Sequence, residues 1–141
     1  MKMNEKLEKL KQKTAIKNLF RNYAGVEWVE VKDVEELKIK EINNFLSIRQ
    51  SYTNRRLFST TDFGDLSQWI ADRLKTIKIS NDIIAHILNA DRWMVEIIVK
   101  DWKNVIELML KNGGVCFYDC ETQMGICVGF DEDSCYIDVK K

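Results

Sequence analysis

WMVEIIVKDWKNVIELMLKNGGVCFYDCETQMGICVGFDEDSCYIDVKK, residues 93–141, decides the fold class. Trp93, Val95, Ile97 and Val99 alternate, which predicts a strand over about 93–99. Met94 and Ile98 also fit a helical stripe, so 92–100 stays open between the two. The β-branched run Val95, Ile97, Ile98, Val99 favours the strand. Asp101 is a good N-cap for a following helix with Trp102, Val105, Ile106, Met109 and Leu110 on one face. Asn112-Gly113-Gly114 ends it.

The remainder reads as a β-meander with strands at about 115–119, 125–130 and 135–139. Side chains alternate between faces, so Val115, Phe117, Ile126, Val128, Phe130, Cys135, Ile137 and Val139 point one way. Cys116, Tyr118, Cys127, Gly129, Tyr136 and Asp138 point the other way. Pairing Phe130 with Cys135 leaves the turn Asp131-Glu132-Asp133-Ser134, an expected hairpin length. Pairing Phe117 with Ile126 sets Cys116 opposite Cys127. The expected fold is α+β: a small antiparallel-leaning sheet, built mainly from this last third, with several helices packed on one face.

Upstream, residues 2–23 read as a basic amphipathic helix whose stripe is Leu7, Leu10, Ile16, Leu19, Phe20 and Tyr23. Gly25 suits its end, and 26–31 read as a strand. Asp33, with Glu36 three residues on, predicts a capped helix. That helix carries Val34, Leu37, Phe45 and Ile48, with Ile39, Ile42 and Leu46 widening its apolar face. Residues 54–64 are irregular, and 65–74 form a helix with Leu66, Trp69, Ile70 and Leu74. Ser80 or Asn81 then caps a short helix bearing Ile83, Ile84, Ile87 and Leu88. Trp28, Trp69, Trp93 and Trp102 all fall at apolar positions, which predicts core packing. No linker divides the chain, so 1–141 is expected to be one domain.

Charge is unevenly spread although it sums to zero. Residues 1–56 hold thirteen basic and eight acidic residues, net +5; residues 113–141 hold two and six, net −4. A dipolar chain can steer a charged partner to one end. No run of about 18 apolar residues exists to span a membrane, and Met1 to Lys13 lacks the apolar core of a signal peptide. A cytoplasmic protein is expected.

Four cysteines stand at 116, 120, 127 and 135, spaced C-x3-C-x6-C-x7-C, which departs from the paired knuckles of structural zinc. Buried free thiols are the main reading, and a Cys116–Cys127 disulfide is the geometric alternative. No metal is expected. His86 is the single histidine, with nothing to orient a Cys–His pair on Cys116, Cys120 or Cys127. Arg55 and Arg56, with Thr60 and Gly64, resemble an anion cradle, but Thr61 or Asp62 also explains the segment as a helix cap. No phosphate-loop pattern is present.

These features lead to an expectation of recognition, with no catalysis and no cofactor. The first expectation is a small protein-binding module of inhibitor or immunity type, occluding a protein partner such as a basic toxin or nuclease. Asp131, Glu132, Asp133, Tyr118 and Tyr136 are its candidate contacts. The alternative is a small-ligand or anion-binding protein with cysteine chemistry, using Arg55, Arg56 and Thr60. A weaker one is nucleic-acid binding through the basic helix, diluted by Glu5 and Glu8.

Overall fold

The computed structural model describes residues 3–47, 63–86, 92–131 and 134–140. Within them lie four helices and six strands. In chain order these are α1 (Met3–Arg21), β1 (Val26–Asp33), α2 (Leu37–Ser47), α3 (Phe63–Ile77), β2 (Asp82–His86), β3 (Trp93–Val99), α4 (Trp102–Lys111), β4 (Cys116–Asp119), β5 (Gly125–Asp131) and β6 (Ser134–Lys140). The fold is α+β. The strands form one open antiparallel sheet of order β1-β3-β2-β4-β5-β6.

Residues 93–99 are a strand, and the meander takes the register that alternation predicts. Phe117 faces Ile126 and Cys116 faces Cys127. Phe130 faces Cys135, and the ladder runs one pair further, to Asp131 and Ser134. Asp101 caps α4 by accepting from the Asn104 amide at 3.3 Å. Gly113 and Gly114, at φ 116° and 139°, then release the chain, and the Gly114 amide reaches back to the Met109 carbonyl at 2.9 Å.

Several expectations are corrected. The short helix expected at Ser80 to Leu88 is strand β2 as far as His86; Ile87 and Leu88 lie outside the described residues. Ile83, Ile84 and Ala85 are all buried, because β2 sits between β3 and β4 with both faces covered. A short apolar run of this kind has no periodicity that separates strand from helix. Helices also pack on both faces of the sheet. One layer joins Leu66, Ile70 and Leu74 of α3, Val105, Ile106 and Met109 of α4, and Phe20 of α1 to the inner strand residues. On the other face α2 lays Ile39, Ile42 and Leu46 over Ile84 and Met94. Finally, Trp28 is 44% exposed, since Val29 and Val31 take the core-facing positions of β1.

Asp33 does not cap α2, which starts later, at Leu37. Its carboxylate accepts from the Glu35 amide at 3.0 Å and from Arg92 at 2.6 Å. The sheet is also broader than its last third, since β1 and β2 add to it. Of the segment expected to be irregular, Phe63 and Gly64 already belong to α3, while residues 54–62, with Arg55, Arg56, Thr60, Thr61 and Asp62, lie outside the described residues, as does Ile48.

Two glycines position these layers. Gly125 lies beneath α2: a Cβ there would stand 2.8 Å from the Phe45 ring. Gly25, at φ 98°, joins β1 to α4, its carbonyl accepting from the amides of Lys100 at 2.7 Å and Asp101 at 3.0 Å. A Cβ on Gly25 would meet the Asp101 carbonyl oxygen at 2.7 Å. Gly25→Ala is therefore expected to cost about 1–3 kcal/mol, through a left-handed backbone and a backbone clash together. Urea denaturation checks this, and an unchanged midpoint contradicts it.

Candidate functional site

The face beneath α2 carries most of the chemistry-bearing side chains. Cross-strand register sets Glu30, Glu96, Ile84 and Tyr118 in one row and Trp28, Ile98 and Asp82 in the next. Beyond β2, the Cys120 amide donates to the Asp82 carbonyl at 2.9 Å, which brings the thiol to this row. Ligand atoms of Asp82, Glu96 and Cys120 all lie within 4.8 Å of one another, half-buried.

Two carboxyls and a thiol at this spacing repel one another once ionised. Burial, then the hydrogen bond and charge of Asp82, raise the Glu96 carboxyl above its ordinary range, against the pull of Lys32. The Lys32 ammonium stands 3.5 Å from Glu96. Burial and the charges of Asp82 and Glu96 push the Cys120 thiol up to about 12. Asp82 Oδ1 is buried and has no hydrogen-bond partner among the described residues. The group thus favours the protonated form of Glu96. As metal donors the three residues suit zinc by type, but the thiol resists ionisation and Lys32 occupies the outer side of Glu96.

Further along the same face, Cys116 and Cys127 stand directly opposite. The Val128 amide bonds the Val115 carbonyl at 2.9 Å, and the Asp119 amide bonds the Met124 carbonyl at 2.8 Å. This phase of the ladder makes Cys116/Cys127 a non-hydrogen-bonded pair, the kind whose side chains approach most closely. Lys140 reaches them from β6. It is only 3% exposed, and its ammonium donates to the carbonyls of Phe45 at 3.3 Å and Leu46 at 2.5 Å, at the C-terminal end of α2. The Cys127 thiol lies 4.0 Å from the Leu46 carbonyl, to which it donates. A bond with Cys116 and, after it, the Lys140 charge hold Cys127 below the ordinary thiol range, against burial and Asp138. Cys116 is raised by that same bond and by burial.

The chain matches no described protein family, no curated protein and no solved structure. Function is therefore argued from these side chains alone.

The candidate contacts fall in two places. Tyr118 packs edge-on against Phe45, ring centroids 6.0 Å apart, within the small core beneath α2. Tyr136 lies over Gly129, near the hairpin of Asp131. Glu132 and Asp133, like Arg55, Arg56 and Thr60, lie outside the described residues. His86 ends β2 opposite Met94. Cys135 is buried in the core on the far face, so the four cysteines do not converge. A groove of about 350 Å³ between α3 and α4 is lined by Lys75, Lys100 and Lys103 beside Trp102, a positively charged pocket outside the sequence expectations.

The first helix departs most from its expected role. Ile16 and Phe20 pack on the core, while Met3, Leu7 and Leu10 are 83%, 49% and 60% exposed. At 100° per residue these three share a side turned away from the domain. The side continuous with Ile16 and Phe20 carries Glu5, Lys9 and Gln12 in this half, of which Lys9 alone is half-buried and the other two are exposed. Gln12 accepts from the Trp93 indole at 3.2 Å, and Glu5, Glu8 and Lys9 line a groove with Arg92. Lys6, Lys13 and Lys17 border the apolar side on one edge and Lys11 on the other, all exposed. Sequence reasoning joined Leu7 and Leu10 to Phe20 in one stripe. The signal against that was the angular drift between residues 3–10 and 16–20. Among the described residues no helix is long and apolar enough to cross a membrane.

Proposed function

We propose that this chain is a protein-binding module that acts by occluding a macromolecular partner, in the manner of an inhibitor or immunity protein. The observation that carries this reading is the reversed first half of α1. Its apolar side chains Met3, Leu7 and Leu10 are exposed, while Gln12, exposed as a whole, is the residue that bonds the sheet through the Trp93 indole. A helix that depended on its own domain alone would bury the opposite side. The apolar stripe offers anchors, and its lysine border suits an acidic partner surface. Charge of this kind raises association rate more than affinity. The hairpin with Asp131, Glu132, Asp133 and Tyr136 is the competing contact region and would suit a basic partner instead.

The test is co-purification of the tagged chain from its native host, followed by titration of any partner recovered in stoichiometric amount. Leu7→Asp with Leu10→Asp is expected to weaken the complex by roughly 30- to 100-fold, the scale of buried anchor residues. Both positions are exposed, so circular dichroism should be unchanged. The triple replacement of Asp131, Glu132 and Asp133 by Ser should leave affinity within about twofold. The reverse pattern transfers the contact to the hairpin. A chain that holds no stoichiometric partner overturns the reading.

A further inference from the structure

We propose that Cys116 and Cys127 form a dithiol site that converts to a cross-strand disulfide by exchange with low-molecular-weight disulfides, with Cys127 as the attacking sulfur. This goes beyond partner binding and uses a different part of the molecule from α1.

The argument begins with the ladder. The two residues are direct partners in a non-hydrogen-bonded pair. Such pairs hold their Cα atoms about 4.5 Å apart, inside the range a disulfide spans, roughly 4.4–6.8 Å. The bond can therefore close without shifting either strand. Both residues are half-buried rather than sealed.

The surroundings distinguish the two sulfurs. Lys140 is fixed by the carbonyls of Phe45 and Leu46, and its charge acts on both sulfurs; the Cys127 thiol shares the Leu46 carbonyl with it, at 4.0 Å, which sets Cys127 beside the ammonium. The bond between the two sulfurs and burial raise Cys116, while that bond and Lys140 lower Cys127, so Cys127 is the sulfur better prepared as the nucleophile. The other two thiols have no such help. Cys120 stands among Asp82 and Glu96, and Cys135 is 1% exposed and pushed up to about 11 by burial. Thiolate character decides exchange rate, which confines the reaction to the pair.

The steps balance. The Cys127 thiolate attacks one sulfur of glutathione disulfide; a Cys127–glutathione S–S bond forms and a glutathione thiolate leaves. Cys116 then gives up its proton and attacks the Cys127 sulfur. The Cys116–Cys127 bond forms and the second glutathione thiolate leaves. The two cysteines lose two electrons and two protons, and glutathione disulfide gains them as two molecules of glutathione.

The test treats the native, fully reduced chain with excess glutathione disulfide, then traps free thiols by alkylation. Cleavage after acidic residues separates all four cysteines, because Asp119, Glu121 and Glu132 lie between them. The expected product is an unadducted chain lighter by two hydrogens, with the Cys116 and Cys127 peptides joined and Cys120 and Cys135 alkylatable after unfolding. Cys116→Ser should stall as a single glutathione adduct on Cys127. Cys127→Ser should slow reaction at Cys116 at least tenfold. The wild-type result decides the proposal even if a serine variant folds poorly. A wild-type chain that stays fully reduced, or that joins or adducts Cys120 or Cys135 first, overturns it. So does an adduct of the Cys116→Ser chain on any sulfur but Cys127.

Discussion

Asp119→Ala is expected to destabilise the protein by about 3–5 kcal/mol, as the sum of two or three stranded donors at roughly 1–3 kcal/mol each. Asp119 is fully buried at the end of β4. Its carboxylate accepts from the Ser80 amide at 2.8 Å, the Ser80 hydroxyl at 2.5 Å and the Thr122 hydroxyl at 2.6 Å. It also accepts from the Glu121 amide at 3.0 Å. One side chain thus fixes the chain entering β2 and the turn leading from β4 to β5. Alanine leaves every one of those donors facing a space that water fills poorly. Chemical denaturation measures the effect, and a midpoint within error of the parent chain would contradict it. Asp119→Asn keeps one acceptor oxygen and should cost less than half as much.

The same residue sets an acid limit on stability. Burial by itself would raise the Asp119 carboxyl, but the hydrogen bonds from Ser80, Thr122 and Glu121 outweigh it and hold the group below the ordinary range. In the unfolded chain an aspartate titrates near about 3.9. Its contribution is therefore complete above that value and is lost as pH falls through the lower folded value. Glu96 and Asp138 are shifted upward, so their protonation on acidification opposes that loss. Asp119→Asn removes the favourable part, and stability should fall less steeply with acid than in the parent chain.

Much of the fold was legible because β alternation and helix caps are local signals. The register that sets Cys116 against Cys127 followed from side-chain parity alone. The cap at Asp101 and the stop at Gly113-Gly114 followed from residue type. What failed were features decided at a distance. Ile83 and Ile84 fit a helical stripe as well as a strand, and only the two flanking strands make β2 a strand. That error hid the grouping of Asp82 with Cys120, because parity can place Asp82 on a face only once its strand is known. The burial of Asp119 depends on two donors from Ser80, distant in sequence, which nothing local announces. Trp28 is expected in the core because it falls at an apolar position, yet alternation on β1 gives the core to Val29 and Val31. The placement of α2 on the second face depends on Gly125 and Lys140, neither of which has a helix-side signature.

Phe117→Ala carries the other large expected loss, about 3–5 kcal/mol, the usual cost of truncating a buried phenylalanine to alanine. Phe117 is fully buried, and its ring lies 5.4 Å from that of Trp102 on α4, tilted by 34°. Its strand is the reason to expect the upper part of that range. In the order β1-β3-β2-β4-β5-β6, the pair β5 and β6 joins the rest of the sheet only through β4. β4 is four residues long, and Phe117 is the position that pairs with Ala85 on one side and Ile126 on the other. A cavity there loosens the bridge between two halves of the sheet as well as the core beneath it. Val128→Ala, on the same face but further out, should cost only about 1 kcal/mol. Hydrogen exchange separates a bridging role from simple loss of packing. If β4 is the bridge, amides of β5 and β6 lose protection in Phe117→Ala before those of β1 and β3. Equal loss in all four strands would mean that the sheet opens as one unit and that the shortness of β4 has no special consequence.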